Sequence, residues 1–235
     1  MVFSERNQHS LSIIVPVLNE ENSLDASLER FKAMSDRHEL IFVDGGSTDD
    51  TTNILKANNF QVITSQQKGR GIQLALGVEH SSSDSEFIIF LHIDTILPNN
   101  WYQLISQAMK SSHWGFFRIR LNSTRPIFRI VENLMIARST LSNIATGDQT
   151  IFVKKDTFMR CIDGVKSHPI MEDIYMSKYF KKHYGRPCII HDPVATSTRY
   201  WEKHGITKSI IKMWQFRLLY FLGMTPDDLY RLYYS

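Results

Sequence analysis

A lone carboxylate, Asp94, follows the short apolar run Phe87-Ile88-Ile89-Phe90-Leu91, which reads as a buried strand. Carboxylates at the carboxyl ends of strands in an open α/β sheet stand where ligands bind, and a hard oxygen donor there suits Mg²⁺ or Mn²⁺ carrying phosphates. The chemistry expected at Asp94 is metal-assisted handling of a phosphate-bearing substrate. A second acidic turn, Val43-Asp44-Gly45-Gly46-Ser47-Thr48-Asp49-Asp50-Thr51, also ends an apolar run. Asp44 can accept from a base N–H, and the glycines let a ligand approach the backbone. Asp49 reads as a cap for the next helix, whose first amides Ser, Thr and Asp satisfy. At Lys68-Gly69-Arg70-Gly71, free amides at a helix start and two cations favour an anion such as a diphosphate, with Arg70 as the contact. A solvated basic turn accounts for the same four residues equally well.

These residues need a scaffold. The β-branched run 11–17 stops at Leu18-Asn19-Glu20, and residues 20–34 then space Leu24, Leu28 and Phe31 as one helix would. Residues 40–43, 61–64 and 87–91 repeat the strand signal, with helices over 51–58 and from residue 68 onward. Such alternation predicts a mostly parallel sheet covered by helices. After Pro98 the rhythm becomes mixed: helices near 99–109, through Arg138 and near 171–183, and strands at 114–121, 150–153 and 187–190. No repeat or low-complexity linker divides the chain, so residues 1–235 are expected as one domain with three parts, 11–98, 99–204 and 205–235.

Composition narrows the classes. The 235 residues are 43% hydrophobic, enough for a substantial core. With 27 Lys and Arg against 24 Asp and Glu, the net charge of +3 gives no argument for nucleic-acid binding. Two cysteines, Cys161 and Cys188, make neither a disulfide scaffold nor a CxxC pair, which fits a reducing cytosol. The polar first ten residues lack the apolar stretch of a secretory signal, so no export is expected, and no segment reaches the ~18 apolar residues of a spanning helix. A cytoplasmic protein is expected. From Ile206 to Tyr234, aromatic and aliphatic residues are interrupted by Lys208, Lys212 and Arg217, the pattern of a basic amphipathic helix. It reads as docked on its own domain, with peripheral membrane contact or a second copy as alternatives; oligomeric state is not readable.

Taken together, Val15-Pro16-Val17-Leu18-Asn19-Glu20, the Asp44 turn and the strand ending at Asp94 resemble family 2 glycosyltransferases, most strongly over residues 11–98. The whole chain is similar to the bacterial selenodomain-associated transferase branch. The resemblance implies a GT-A fold, a nucleotide-sugar donor, a divalent metal and inversion at the anomeric carbon. Carried over residue by residue, Pro16, Asn19 and Glu20 edge the nucleoside pocket and Asp44 meets the base, which the resemblance suggests is uracil. Many relatives have a second acidic residue where this chain has Gly45, so UDP is preferred rather than fixed. The family's Asp-x-Asp appears here as His92-Ile93-Asp94. Asp94 is thus the metal ligand, and His92 is assigned to the donor side as a ribose partner or strand-end group, since imidazole suits softer ions than Mg²⁺.

Pro169-Ile170-Met171-Glu172-Asp173 matches the family's Glu-Asp pair. Asp173 is the expected catalytic base, because inversion needs a group that takes the acceptor's proton, and Glu172 is expected to orient the acceptor. An acidic helix start interacting with the dipole explains the pair without catalysis. Gly147-Asp148-Gln149 resembles the acceptor-side loop. Residues 198–204, rich in cations and aromatics, read as a loop whose Arg199 and Trp201 close over the site as a lid; surface packing by Trp201 is the other reading. His191 follows a strand but is left out of the site. The function expected is an inverting glycosyltransferase using a nucleotide sugar, a UDP-sugar by preference, and an unidentified acceptor. The alternative is a nucleotide-sugar-binding protein without turnover, motivated by His92. A Rossmann oxidoreductase lacks its GxGxxG turn after the first strand.

Overall fold

The structure, a computed structural model, describes residues 11–234, the side chain of Tyr200 excepted. The expectation about the first ten residues lies outside them. In chain order the elements are β1 (Leu11–Val17), α1 (Glu21–Leu24), α2 (Leu28–Ser35), β2 (Glu39–Asp44), α3 (Thr51–Ala57), β3 (Gln61–Thr64), α4 (Arg70–Glu79), β4 (Phe87–Phe90) and α5 (Trp101–Met109). They continue with β5 (Trp114–Leu121), α6 (Pro126–Ser142), a 3-10 turn (Gly147–Gln149), β6 (Ile151–Lys154), α7 (Lys155–Met159), α8 (Ile162–Lys166) and α9 (Glu172–Tyr184). The chain ends with β7 (Cys188–Thr196), α10 (Arg199–His204), α11 (Ile206–Phe221) and α12 (Pro226–Tyr234).

One seven-stranded sheet has the order β3-β2-β1-β4-β6-β5-β7. Its strands are parallel except β6, which pairs antiparallel with β4 and β5. The central strands β1, β2 and β4 are nearly continuous apolar runs because both faces are covered. Ile13 and Val15 of β1 and Phe42 of β2 pack with Phe31 of α2 and Ile105 and Met109 of α5 on one face. Ile14, Ile41 and Val43 point the other way, against Leu74 and Val78 of α4 and Met176 and Phe180 of α9. A third cluster joins Ile119 and Leu121 of β5 to Phe128, Val131 and Met135 of α6, with Ile210 and Met213 of α11 packed on it.

The reversed β6 decides where the site is. The carboxyl ends of β1, β2 and β4 share one edge of the sheet, and because β6 runs backward, the Gly147–Gln149 turn preceding it meets that same edge.

Three sequence expectations are corrected. The helix over 20–34 is two helices, because the chain turns at residues 25–27 and brings Ser27 and Arg30 onto the Ile93 carbonyl, at 3.4 and 2.8 Å. The terminal helix is also broken: Gly223 adopts φ +96°, and the ring of Pro226 starts α12 but cannot continue α11. Residues 199–204 form α10 rather than a loop, and Trp201 is buried in the third core cluster. In this structure its indole anchors the segment to α6.

Candidate active site

The β1 and β2 ends are tied to each other before any ligand is considered. Asn19, held at φ +54°, accepts from the Thr48 amide at 2.8 Å, and its own amide donates to the Ser47 hydroxyl at 2.9 Å. The Glu20 and Glu21 amides donate to Thr51 Oγ1 and Asp49 Oδ2. Asp49 also takes the Thr51 amide and hydroxyl; burial would raise its carboxyl, but these hydrogen bonds bring it below the usual range. Asp44 is buried at 2% exposure and accepts from the Gly46 and Ser47 amides at 3.1 and 3.0 Å, so its first partners are its own turn. Pro16 lies inside β1, paired with Val43, one turn of the chain back from the rim. Beneath this rim the Gln73 amide of α4 donates to both the Val17 and Val43 carbonyls, at 2.9 and 2.7 Å, clamping the two strand ends together.

Past β4, His92 Nδ1 and Asp94 Oδ1 are 2.6 Å apart, and Thr196 Oγ1 donates to the same oxygen at 3.4 Å. Burial would raise the Asp94 carboxyl, yet the hydrogen bond and charge of His92, with Arg199 and Thr196, hold it below the usual range. Arg199 also donates to Ser23 Oγ at 3.2 Å, so α10 brings a cation to the Asp94 end. Among the described residues Asp94 Oδ2 has no hydrogen-bond partner, and the side chain is 21% exposed. No group of three or more His, Cys, Asp and Glu side chains is placed to hold a metal among those residues. The donor set is one hard carboxylate oxygen, which fits Mg²⁺ or Mn²⁺ where substrate phosphates and water complete the coordination, and does not fit an ion needing a full protein cage.

The third group lies where α4, α9 and the Gly147–Gln149 turn meet. Arg70 Nε is 3.2 Å from Glu172 Oε1, and the Arg70 amide donates to the Pro169 carbonyl. A Cβ on Gly71 would come within 2.3 Å of the Val165 and His168 carbonyl oxygens, and Gly69 sits at φ +137° against Pro169. The start of α4 is therefore covered by residues 165–172. The glycines serve close packing, and Arg70 turns to Glu172 and the Gly147 backbone rather than into an open anion site. Asp173 Oδ2 accepts from the Gly147 amide at 3.1 Å and Oδ1 from Ile174 at 2.7 Å, so the carboxylate is held at the base of the turn containing Asp148. Gln149 is fully buried, with its carbonyl oxygen on the Thr146 amide and its NH₂ on Ser139. It builds the turn and is closed to a ligand.

Glu172 is 5% exposed, which leaves it no direct route to an acceptor. Burial, together with the neighbouring Asp173 charge, pushes its carboxyl up to about 8, and Arg70 offsets only part of that. No hydrogen bond or ion pair joins the Asp94 and Asp173 groups among the described residues; they share the sheet edge. A cleft lined by Ser83, Asp84, Lys154 and Asp156 opens at the opposite end of β4, away from all three groups.

Four further residues belong to this edge and escaped the sequence reading: Gln73, Arg30, Arg138 and Arg217. Gln73 and Arg30 act on backbone carbonyls, which no side-chain motif marks. Arg138 and Arg217 lie on helices that carry other charged residues, Arg129 and Glu132 on α6 and Lys208 and Lys212 on α11, so residue type alone does not single them out.

A family model described as Glycosyl transferase family 2 matches residues 12–160. The undecaprenyl-phosphate 4-deoxy-4-formamido-L-arabinose transferase of Yersinia pestis (strain Pestoides F) is 27% identical over 145 residues, which cover 55% of this chain and 44% of that protein. The chain thus spans less than half the length of that curated relative. The fold is similar to glucosyl-3-phosphoglycerate synthase from Mycobacterium tuberculosis, solved with Mn²⁺, UDP-glucose and phosphoglyceric acid, with a TM-score of 0.58 and 18% identity over 80% of this chain and 71% of that one. It is also similar to the mannosyltransferase PcManGT from Pyrobaculum calidifontis, solved with GDP-mannose and Mn²⁺, with a TM-score of 0.55 and 19% identity over 80% of this chain and 56% of that one.

Proposed function

Because the chain belongs to glycosyl transferase family 2 and has the GT-A fold, we propose that it moves a sugar from a nucleotide-sugar donor, a UDP-sugar by preference, to an acceptor with inversion. The observation that carries this is Asp94: a carboxylate with one unpartnered oxygen at the carboxyl end of β4, on the same sheet edge as Asp173. Asn19, Glu20 and Asp44 border the nucleoside, with Pro16 stiffening the strand behind them. His92 fixes one oxygen of Asp94 and leaves the other for the donor. A divalent ion bound through Asp94 would supply charge neutralisation for the diphosphate oxygens.

The acceptor oxygen bonds to the anomeric carbon as the bond from that carbon to the diphosphate breaks; the electron pair leaves with the nucleotide, and the acceptor proton passes to Asp173. The Gly147 and Ile174 amides keep Asp173 aimed. Glu172 holds Arg70 against the Gly147 turn, and Asp148 faces the acceptor. Arg199 supports Asp94 from α10, with Trp201 as its anchor. Two solved neighbours bound to different bases, and Gly45 in place of an acidic residue, leave GDP-sugars as the control donors.

No helix among the described residues is long and apolar enough to cross a membrane. We place the protein in the cytoplasm, with residues 206–235 as the part that contacts a membrane surface peripherally. The test is nucleotide release from UDP- and GDP-sugars with Mn²⁺, Mg²⁺ or chelator, in the parent, Asp94→Ala and Asp173→Ala. Metal-dependent release lost in both variants is the expected result. Donor binding with no release under any metal or acceptor condition would favour the second reading, a binding protein, which rests on His92 standing where a carboxylate would be.

A further inference from the structure

Arg138 of α6 and Arg217 of α11 are half-buried, and neither lies within ion-pair distance of a carboxylate among the described residues. Arg138 makes one long hydrogen bond, to Thr146 Oγ1 at 3.5 Å, while its Nε is buried without a partner. Arg217 makes none. The carboxylate nearest in influence is Asp173, but the Gly147 and Ile174 amides already hold its two oxygens. Both helices contribute to one hydrophobic cluster, Val131 and Met135 of α6 with Ile210 and Met213 of α11 packed on it, and both arginines are within electrostatic reach of the proposed base. Burial and the charge of Arg217 lower Arg138 to about 10, although Asp173 and Asp148 pull the other way. Two desolvated cations that repel each other are costly unless an anion joins them.

We propose that Arg138 and Arg217 form an acceptor subsite for a phosphate group, so that the acceptor of this enzyme is a phosphorylated compound. The inference rests on the transferase reading and names its acceptor class. Guanidinium groups present fixed forks of N–H donors that match phosphate oxygens, and a phosphate between them would replace repulsion by charge-assisted hydrogen bonds. The outer faces of the same helices are apolar: Ile130 and Leu134 on α6, and Ile211, Trp214 and Leu218 on α11, are each 58% or more exposed. A phosphate carried by a lipid or by a small soluble molecule meets the same arginine pair, and the experiment separates the two.

Farnesyl monophosphate, farnesol and glycerol phosphate are titrated calorimetrically into the parent, Arg138→Gln and Arg217→Gln, with UDP-glucose and Mn²⁺ titrated separately. The proposal predicts that a phosphate probe binds the parent and weakens about tenfold or more in each variant, with farnesol indifferent to both. Farnesyl phosphate binding far above glycerol phosphate assigns a lipid source, and equal binding assigns a soluble one; either supports the subsite. Phosphate probes that bind no better than farnesol, or equally well to parent and variants, overturn it. Loss of UDP-glucose binding in the parent would sink the donor assignment while leaving the anion subsite standing. Melting temperature keeps the test readable: removing one of two repelling cations should leave it unchanged or higher, and a sharp fall in both variants would show a structural role and count against the proposal.

Discussion

Along the edge made by β1, β2 and β4, polar side chains bond to one another, whereas across α4, α6, α9 and α11 several charges are short of partners. Asn19 spans to Thr48, Asp44 holds its own turn, and Gln73 clamps two strand ends. On the other side Glu172 is buried at the expense of its charge, and Arg138 and Arg217 repel each other, neither paired with a carboxylate among the described residues. The first arrangement is a preformed cradle: a ligand that binds there meets groups whose orientation is already fixed. The second stores unfavourable electrostatics that a ligand of the right charge relieves. The contrast assigns rigid donor recognition to the first half and charge-driven acceptor recognition to the second.

The sharpest way to break this division is at the base. Asp173→Asn keeps the side chain's size and one of its two amide contacts but cannot take a proton, and turnover should fall by about 100- to 10,000-fold while donor binding holds. Unchanged turnover would mean that the acceptor oxygen attacks already ionised. Asp94→Ala comes next, with a loss of about 100- to 1,000-fold in donor turnover and of its metal dependence. Retained metal dependence in that variant would move the metal elsewhere.

Glu172 sharpens the comparison through pH. Its folded carboxyl, at about 8, lies above the ordinary 4.5, so the folded state holds the proton more tightly than the unfolded one. Its stabilising influence is therefore complete below about 4.5 and is lost as pH rises through about 8. Glu172→Gln should flatten denaturant-derived stability between those limits; an identical pH profile in the variant would refute the buried-acid account. The smallest effect expected is in the cradle. Gln73→Leu removes the side-chain donor from the Val17 and Val43 carbonyls, leaving Val17 only the Gly45 amide, and should cost about 1–3 kcal/mol in urea unfolding. No loss would mean that the clamp is dispensable.

Much of the cradle is readable from residues alone, and the physical reason is locality. Strands β1 to β4 are short apolar runs punctuated by Asn19-Glu20, Asp44-Gly45-Gly46 and Asp94, so type and position coincide in the sequence. The second half is legible only in pieces. The helical periodicity of residues 206–234 is real, but the break at Gly223 and the packing of Phe216 against Tyr233 of α12 follow from tertiary packing. Trp201 looks like a mobile aromatic because its burial depends on α6, some 70 residues earlier in the chain. The glycines around Arg70 suggest a phosphate loop, yet the groups that fill the space, Val165, His168 and Pro169, are remote in sequence.

The central claim is that Asp94 joins a divalent metal to a nucleotide-sugar donor. Its most direct test is calorimetric titration of UDP-glucose into the parent and Asp94→Ala, each with and without Mn²⁺. The account predicts that Mn²⁺ tightens donor binding in the parent, by about tenfold or more, and has no effect in the variant. Equal tightening in both proteins would contradict it.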